Sequence, residues 1–191
     1  MLASRAVQYS RSLLSIWLMT VLLLLVNNRI AGQKAIEDIG HFTQIGLPIA
    51  ALGVSLLKND RAGAIQLAKS VAVETVIVYS MKQLINRPRP SGGSLAFPSG
   101  HTAISFTSST YLYKRYGWQY GVPATVLASF VGYSRFGIDE PVHWFSDVVA
   151  GAAIGVVTSL IFTTKQLDPE KISISAGLGG DTYVLGAKIY F

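Results

Sequence analysis

Ser99, Gly100 and His101 follow Pro98 and bring together a hydroxyl, an unhindered backbone N–H and an imidazole. A turn of this composition that opens a helix offers unpaired N–H donors and partial positive charge to an anion. The chemistry it suggests is a phosphate cradle with a proton donor attached. Upstream, Lys82 and Arg89 stand seven residues apart in a stretch stopped by Pro88 and Pro90, so a helix ending near Asn86 aims both cations the same way. Downstream, Ser134 and Arg135 precede His143 and Asp147. The last two are four apart, one helical turn, which lets a carboxylate hold one imidazole nitrogen and leave the other free.

Each of these residues has a plainer explanation when taken alone. Lys82, Arg87 and Arg89 would anchor a helix end at an interface. Asp147 would serve a helix dipole, and Arg135 would pair with Asp139 on the surface. His143 with Asp139, Glu140 and Asp147 would make a metal site, but no second histidine lies nearby in the chain. All of these explanations would have to hold at once, in order along one chain.

Taken together, Lys82 with Arg89-Pro90, then Pro98-Ser99-Gly100-His101, then Ser134-Arg135 with His143 and Asp147, resemble the signature of the type 2 phosphatidic-acid phosphatase superfamily. That superfamily groups lipid phosphate phosphatases, bacterial class A acid phosphatases and vanadium haloperoxidases. One departure stands out: residues 136–142 make the Arg135 to His143 spacing two residues longer than is usual in the family. The resemblance implies His143 as a nucleophile forming a phosphohistidine, Asp147 as its orienting carboxylate and His101 as proton donor to the leaving oxygen. It implies that Lys82, Arg89, Arg135, Ser99 and the Gly100 N–H hold the phosphoryl oxygens. It implies neither metal nor cofactor. Arg87, an extra cation before Arg89, and Asp139 and Glu140 in the longer loop are candidate substrate contacts.

Such residues need elements to position them, and composition says of what kind. In 191 residues half are hydrophobic, only 14% are charged and the mean hydropathy is +0.42, more apolar than an ordinary soluble domain. A membrane protein is expected. Of the cations behind the net charge of +6, Lys82, Arg87, Arg89 and Arg135 lie in or beside the three blocks and the rest are scattered between apolar segments, with no basic run interleaved with aromatics, so nucleic acid is not expected as a partner. The chain has no cysteine, which excludes disulfide and thiolate chemistry.

Six apolar segments are expected, over 13–26, 45–57, 64–85, 101–114, 122–133 and 144–162, with a polar connection over 27–44. The last carries Ala150, Gly151, Ala152, Ala153 and Gly155, which permit close helix packing. In the connection, His41 has no partner spacing and reads as a solvated or capping residue. Residues 1–30 read as an uncleaved signal anchor or first transmembrane helix, because a cut after Ala31 or Gly32 lacks the small residue such a site wants. Beyond Lys171 the period changes to two on either side of Gly179-Gly180-Asp181, a β-hairpin pattern.

The expected architecture is thus all-α: residues 1–166 as a six-helix membrane bundle of the phosphatidic-acid phosphatase type, and 167–191 as a tail with a small C-terminal β-hairpin. Lys58, Arg61, Lys114, Arg115 and Lys165 alternate to the side of the N-terminus, away from the three blocks. The positive-inside rule then puts the blocks outside the cytoplasm, in a multi-pass bacterial inner-membrane protein whose site faces the periplasm or exterior. The activity expected is hydrolysis of a lipid phosphate or diphosphate. The alternatives are a soluble periplasmic acid phosphatase with the same site, a vanadium haloperoxidase, and a noncatalytic membrane protein that binds lipid phosphates.

Overall fold

A helix rich in serine and threonine runs through the centre of the computed structural model, with its neighbours packed around it. The structure describes residues 32–138 and 141–166, and the backbone of two strands, β1 (Ile172–Gly179) and β2 (Thr182–Ile189). In chain order the helices are α1 (Gly32–Leu57), α2 (Arg61–Ile85), α3 (Gly100–Tyr116), α4 (Trp118–Phe136) and α5 (Phe145–Phe162). α3 is the central one and touches α2, α4 and α5. β1 and β2 pair antiparallel from Ile172 opposite Ile189 to Gly179 opposite Thr182. The expected apolar segment over 13–26 lies outside the described residues.

Local chemistry sets the helix ends. Asp60 caps α2 by accepting from the Gly63 N–H at 2.9 Å, and Asn86 ends that helix in the left-handed conformation, φ 43°. Ser99 caps α3, and Gly117, at φ 93°, separates α3 from α4. At the start of α5 the Asp147 carboxylate accepts from the Trp144 N–H at 2.9 Å.

The α3–α5 contact is backbone against backbone. A Cβ on Gly151 would stand 2.3 Å from the Ser99 carbonyl oxygen, and one on Gly155 would stand 2.3 Å from that of Ala103. The hydroxyls of Ser105, Thr107 and Ser108 donate back to carbonyls of α3's preceding turn, at 2.8 to 3.0 Å. They satisfy themselves and present a small surface that another helix can approach.

Polarity is inverted relative to a protein that folds in water. Ser70, Glu74, Thr102, Ser105, Thr107, Ser108, Ser134, Arg135, Asp147, Thr158 and Ser159 are buried, while Phe42, Ile49, Leu56, Val76, Val126, Val157 and Ile161 are exposed. α1, α2 and α5 are long and apolar enough to cross a membrane, with mean hydropathies of 1.4, 1.3 and 1.9. The arrangement is that of a membrane protein.

The first helix corrects the expectation of a polar connection over 27–44, since α1 begins at Gly32. Ile39, Phe42, Ile45, Ile49, Leu52 and Leu56 form its outward stripe, and Gly40, Leu47, Ala51 and Ser55 its buried one. Lys34, Glu37, Asp38 and His41 hide this helical period from a hydropathy reading. α4 likewise outruns the expected 122–133, starting at Trp118 and carrying Pro123 within it.

At the end of the bundle away from Ser99, Arg115 donates twice to the Asp60 carboxylate, both at 2.6 Å, and Tyr116 adds a third bond at 2.9 Å. The Arg115 guanidinium holds the Asp60 carboxyl down at about 2, against the opposing effect of burial. Ser55 and Tyr111 continue the network at 2.7 Å, tying α1, α3 and the α1–α2 turn together.

Candidate active site

The alternating helices converge on one face: the second and third turns of α1, the first turns of α3 and α5 and the last turns of α2 and α4. Between them lies a cavity of about 370 Å³ lined by Glu37, His41, Lys82, Arg89, Gly100, His101, Arg135, Val142 and His143. Six of these nine are residues singled out in the sequence.

Lys82 ends α2, and its ammonium donates to the Leu95 carbonyl at 2.7 Å. Arg89 donates from Nε to the Ser94 carbonyl at 3.1 Å, so the loop that follows α2 folds back onto both cations. Arg135 is almost fully buried near the end of α4, donating from Nη2 to the Glu37 carbonyl at 2.9 Å and from Nε to Ser134 Oγ at 3.1 Å. Each cation is thereby aimed before any anion arrives.

His143 is buried, with Nδ1 3.6 Å from Asp147 Oδ2, longer than a hydrogen bond. Among the described residues, this Nδ1 is the buried side-chain nitrogen without a hydrogen-bond partner. Burial first, then the nearby Lys82 and Arg89, push the His143 imidazole down to about 4, and Asp147 opposes them. At neutral pH the ring is uncharged and has a lone pair to offer. The longer 136–142 loop does not separate its ends, because the His143 N–H donates to the Arg135 carbonyl at 3.1 Å and closes its base.

Asp147 is wholly buried behind His143 and does not line the cavity. Its Oδ1 takes a bond from Arg87 at 2.8 Å, and the same Arg87 nitrogen reaches Ser146 Oγ at 2.7 Å. The Arg87 guanidinium also lies 5.5 Å from the centre of the Trp144 ring, whose Nε1 donates to the Pro88 carbonyl at 3.0 Å. Arg87, a candidate substrate contact by sequence, therefore sits on the carboxylate behind the cavity. Ser99 also stands behind the wall: its buried hydroxyl lies 3.0 Å from that of Thr102, and its N–H donates to the Asp147 carbonyl at 2.9 Å. Asp139 and Glu140 lie outside the described residues. Among the described residues no three His, Asp or Glu side chains gather as metal ligands.

The other three lining residues are Val142 of the longer loop, Glu37, and His41, whose reading as a solvated or capping residue outside the site is corrected here. Glu37 and His41, one turn apart on α1, close the side of the cavity facing His101, and His41 Nδ1 is 3.4 Å from His101 Nε2. The signal that points to them is α1's helical period, which aligns both with the buried Gly40. A Cβ on Gly40 would meet Ser134 Oγ and come within 2.9 Å of Arg135 Nη2, so α1 can sit this close only with glycine there. The whole forms a cleft with three cations, the start of a helix and three imidazoles.

Residues 91–170 match the PAP2 superfamily. A lipid A 4'-phosphatase of Helicobacter pylori is 27% identical over 146 residues, 70% of this chain and 72% of the relative. A lipid A 1-phosphatase of Porphyromonas gingivalis is 39% identical over 95 residues, 47% of this chain and 21% of that longer protein. The crystal structure of Aquifex aeolicus LpxE superposes with a TM-score of 0.51 at 25% identity, over 70% of this chain and 93% of that one. With the three sequence blocks converging on one cleft of an inverted-polarity bundle, these likenesses support the type 2 phosphatidic-acid phosphatase superfamily as the family of this chain.

Proposed function

We propose that this protein removes phosphate from a membrane lipid through a phosphohistidine on His143, without a metal ion. The observation that carries the reading is the uncharged, buried His143 facing a cleft whose other walls supply Lys82, Arg89 and Arg135. In the first step His143 Nε2, the ring nitrogen turned away from Asp147, attacks phosphorus and the bond to the lipid oxygen breaks. Asp147 steadies the imidazolium that forms, and His101 gives the departing oxygen its proton. Lys82, Arg89, Arg135 and the Gly100 N–H take the charge of the phosphoryl oxygens, with Ser99 holding that helix start in place. Water then attacks the phosphohistidine and phosphate leaves.

The relatives named for lipid A dephosphorylation make a sugar-linked phosphate of lipid A the first substrate to try. Phosphatidate, phosphatidylglycerol phosphate and undecaprenyl diphosphate present the same phosphoryl group and belong in the same panel. The distribution of Lys and Arg along the chain supports a reaction on the outer face of the cytoplasmic membrane. The test is phosphate release by detergent-purified protein over this panel, with EDTA present, beside His143→Ala. Release abolished in the variant and blocked by vanadate is the expected result. Release that persists in His143→Ala, or that EDTA stops, overturns the mechanism.

A further inference from the structure

α1 lies outside both the three sequence blocks and the matched family region, yet it supplies one wall of the cleft. On that wall His41 Nδ1 is 3.4 Å from His101 Nε2, and the two ring centres are 5.6 Å apart. At this separation one imidazole donates an N–H to the other's lone pair. His41 is exposed and His101 only partly so, which means the pair runs from solvent to the inside of the cleft. The groups facing it are Glu37 from α1, Lys82 from α2, Arg135 from α4, Arg89 from the loop after α2, and His143.

An acid that donates to a leaving oxygen must hold its proton among three cations, and a lone imidazolium there is repelled by each of them. A second imidazole that accepts a hydrogen bond spreads that charge over two rings and draws it toward solvent. We propose that His41 shares the proton of the acid His101, as a positioning residue acting through it. This rests on the reading above in which His101 protonates the leaving oxygen. In the first step the phosphorus–oxygen bond to the lipid breaks as the His143 nitrogen–phosphorus bond forms, and one proton passes from the pair to the lipid oxygen. In the second step water forms the new oxygen–phosphorus bond, the nitrogen–phosphorus bond breaks and one water proton returns to the pair. The pair ends each turnover with the protons it began with.

The test separates protonation from binding by changing the leaving group. An alkyl phosphate of a short-chain lipid needs a proton on its departing oxygen, whereas p-nitrophenyl phosphate does not. First-turnover release is measured for both with wild type, His41→Ala, His41→Gln and His101→Ala. The expected result is a loss of about 10- to 100-fold on the alkyl phosphate for both His41 variants, with p-nitrophenyl phosphate within about twofold of wild type. Added imidazole restores His41→Ala. His101→Ala shows the same selectivity, more strongly. Equal losses on both substrates, an unchanged rate on both, or a loss on the alkyl phosphate that imidazole does not mend overturns the role of His41. Wild-type release that is indifferent to His143→Ala overturns the enzyme reading instead, and this inference with it.

Discussion

In the proposed mechanism His143 carries the balance on which the chemistry turns. Burial, Lys82 and Arg89 favour the neutral ring, Asp147 favours the charged one, and the first group wins, to about 4. In that mechanism the attacking form is the unprotonated one, so kcat/KM is expected to rise with pH through about 4 and to be flat above it as far as His143 is concerned. A pH–rate profile with its acid limb near the ordinary histidine value would contradict this. Arg87 neutralises part of Asp147, so Arg87→Ala should let the carboxylate pull that limb upward and should lower kcat about tenfold, with KM little changed. A KM effect with an unmoved limb would make Arg87 the substrate contact that its sequence position suggests. The cations and histidines of the three blocks were legible because each block lies within a turn or two of one helix end. The His41–His101 contact was not, since the pair is 60 residues apart and only the packing of α1 joins them. For the same reason nothing in the spacing revealed that a backbone bond closes the 136–142 loop.

Helix packing fixes where these side chains stand, and two glycines test it. Gly155 lets α5 press onto the α3 backbone; Gly155→Leu should force them apart, cost about 1–3 kcal/mol and lower the melting temperature in detergent. Because α5 carries Asp147 and α3 carries Gly100 and His101, phosphate release per folded molecule should fall as well. Gly40→Val acts on a different pair, driving α1 from Ser134 and Arg135, and should weaken phosphate binding, read as a raised KM. α5 was legible from its uniform apolar run and small residues. α1 was not, because the polar residues that face the cleft and its rim break up its apolar stripe, so that a helix beginning at Gly32 reads as a loop until Ile45.

For the whole molecule the inverted polarity was legible in composition alone, but the division of labour between its ends required the structure. The Asp60–Arg115 pair lies at the end opposite the cleft, buried, so Asp60→Ala should cost about 3 kcal/mol and leave kcat per folded molecule nearly unchanged. Its carboxyl is held at about 2, below its ordinary value, so its contribution to stability is present above the unfolded value and is lost as pH falls through about 2. Thermal melts across acid pH check the sign. Orientation is open to direct test because the chain has no cysteine of its own: Ser91→Cys, beside the cleft, should react with an impermeant maleimide added outside intact cells, and Lys58→Cys, at the far end, should not. The measurement closest to the central claim is the trapping of the phosphorylated protein. Brief exposure to a radiolabelled lipid phosphate in EDTA should leave an acid-labile, base-stable label on the peptide containing His143, and none on His143→Ala. Phosphate release by wild type with no such label, or a label carried by another residue, would contradict the account.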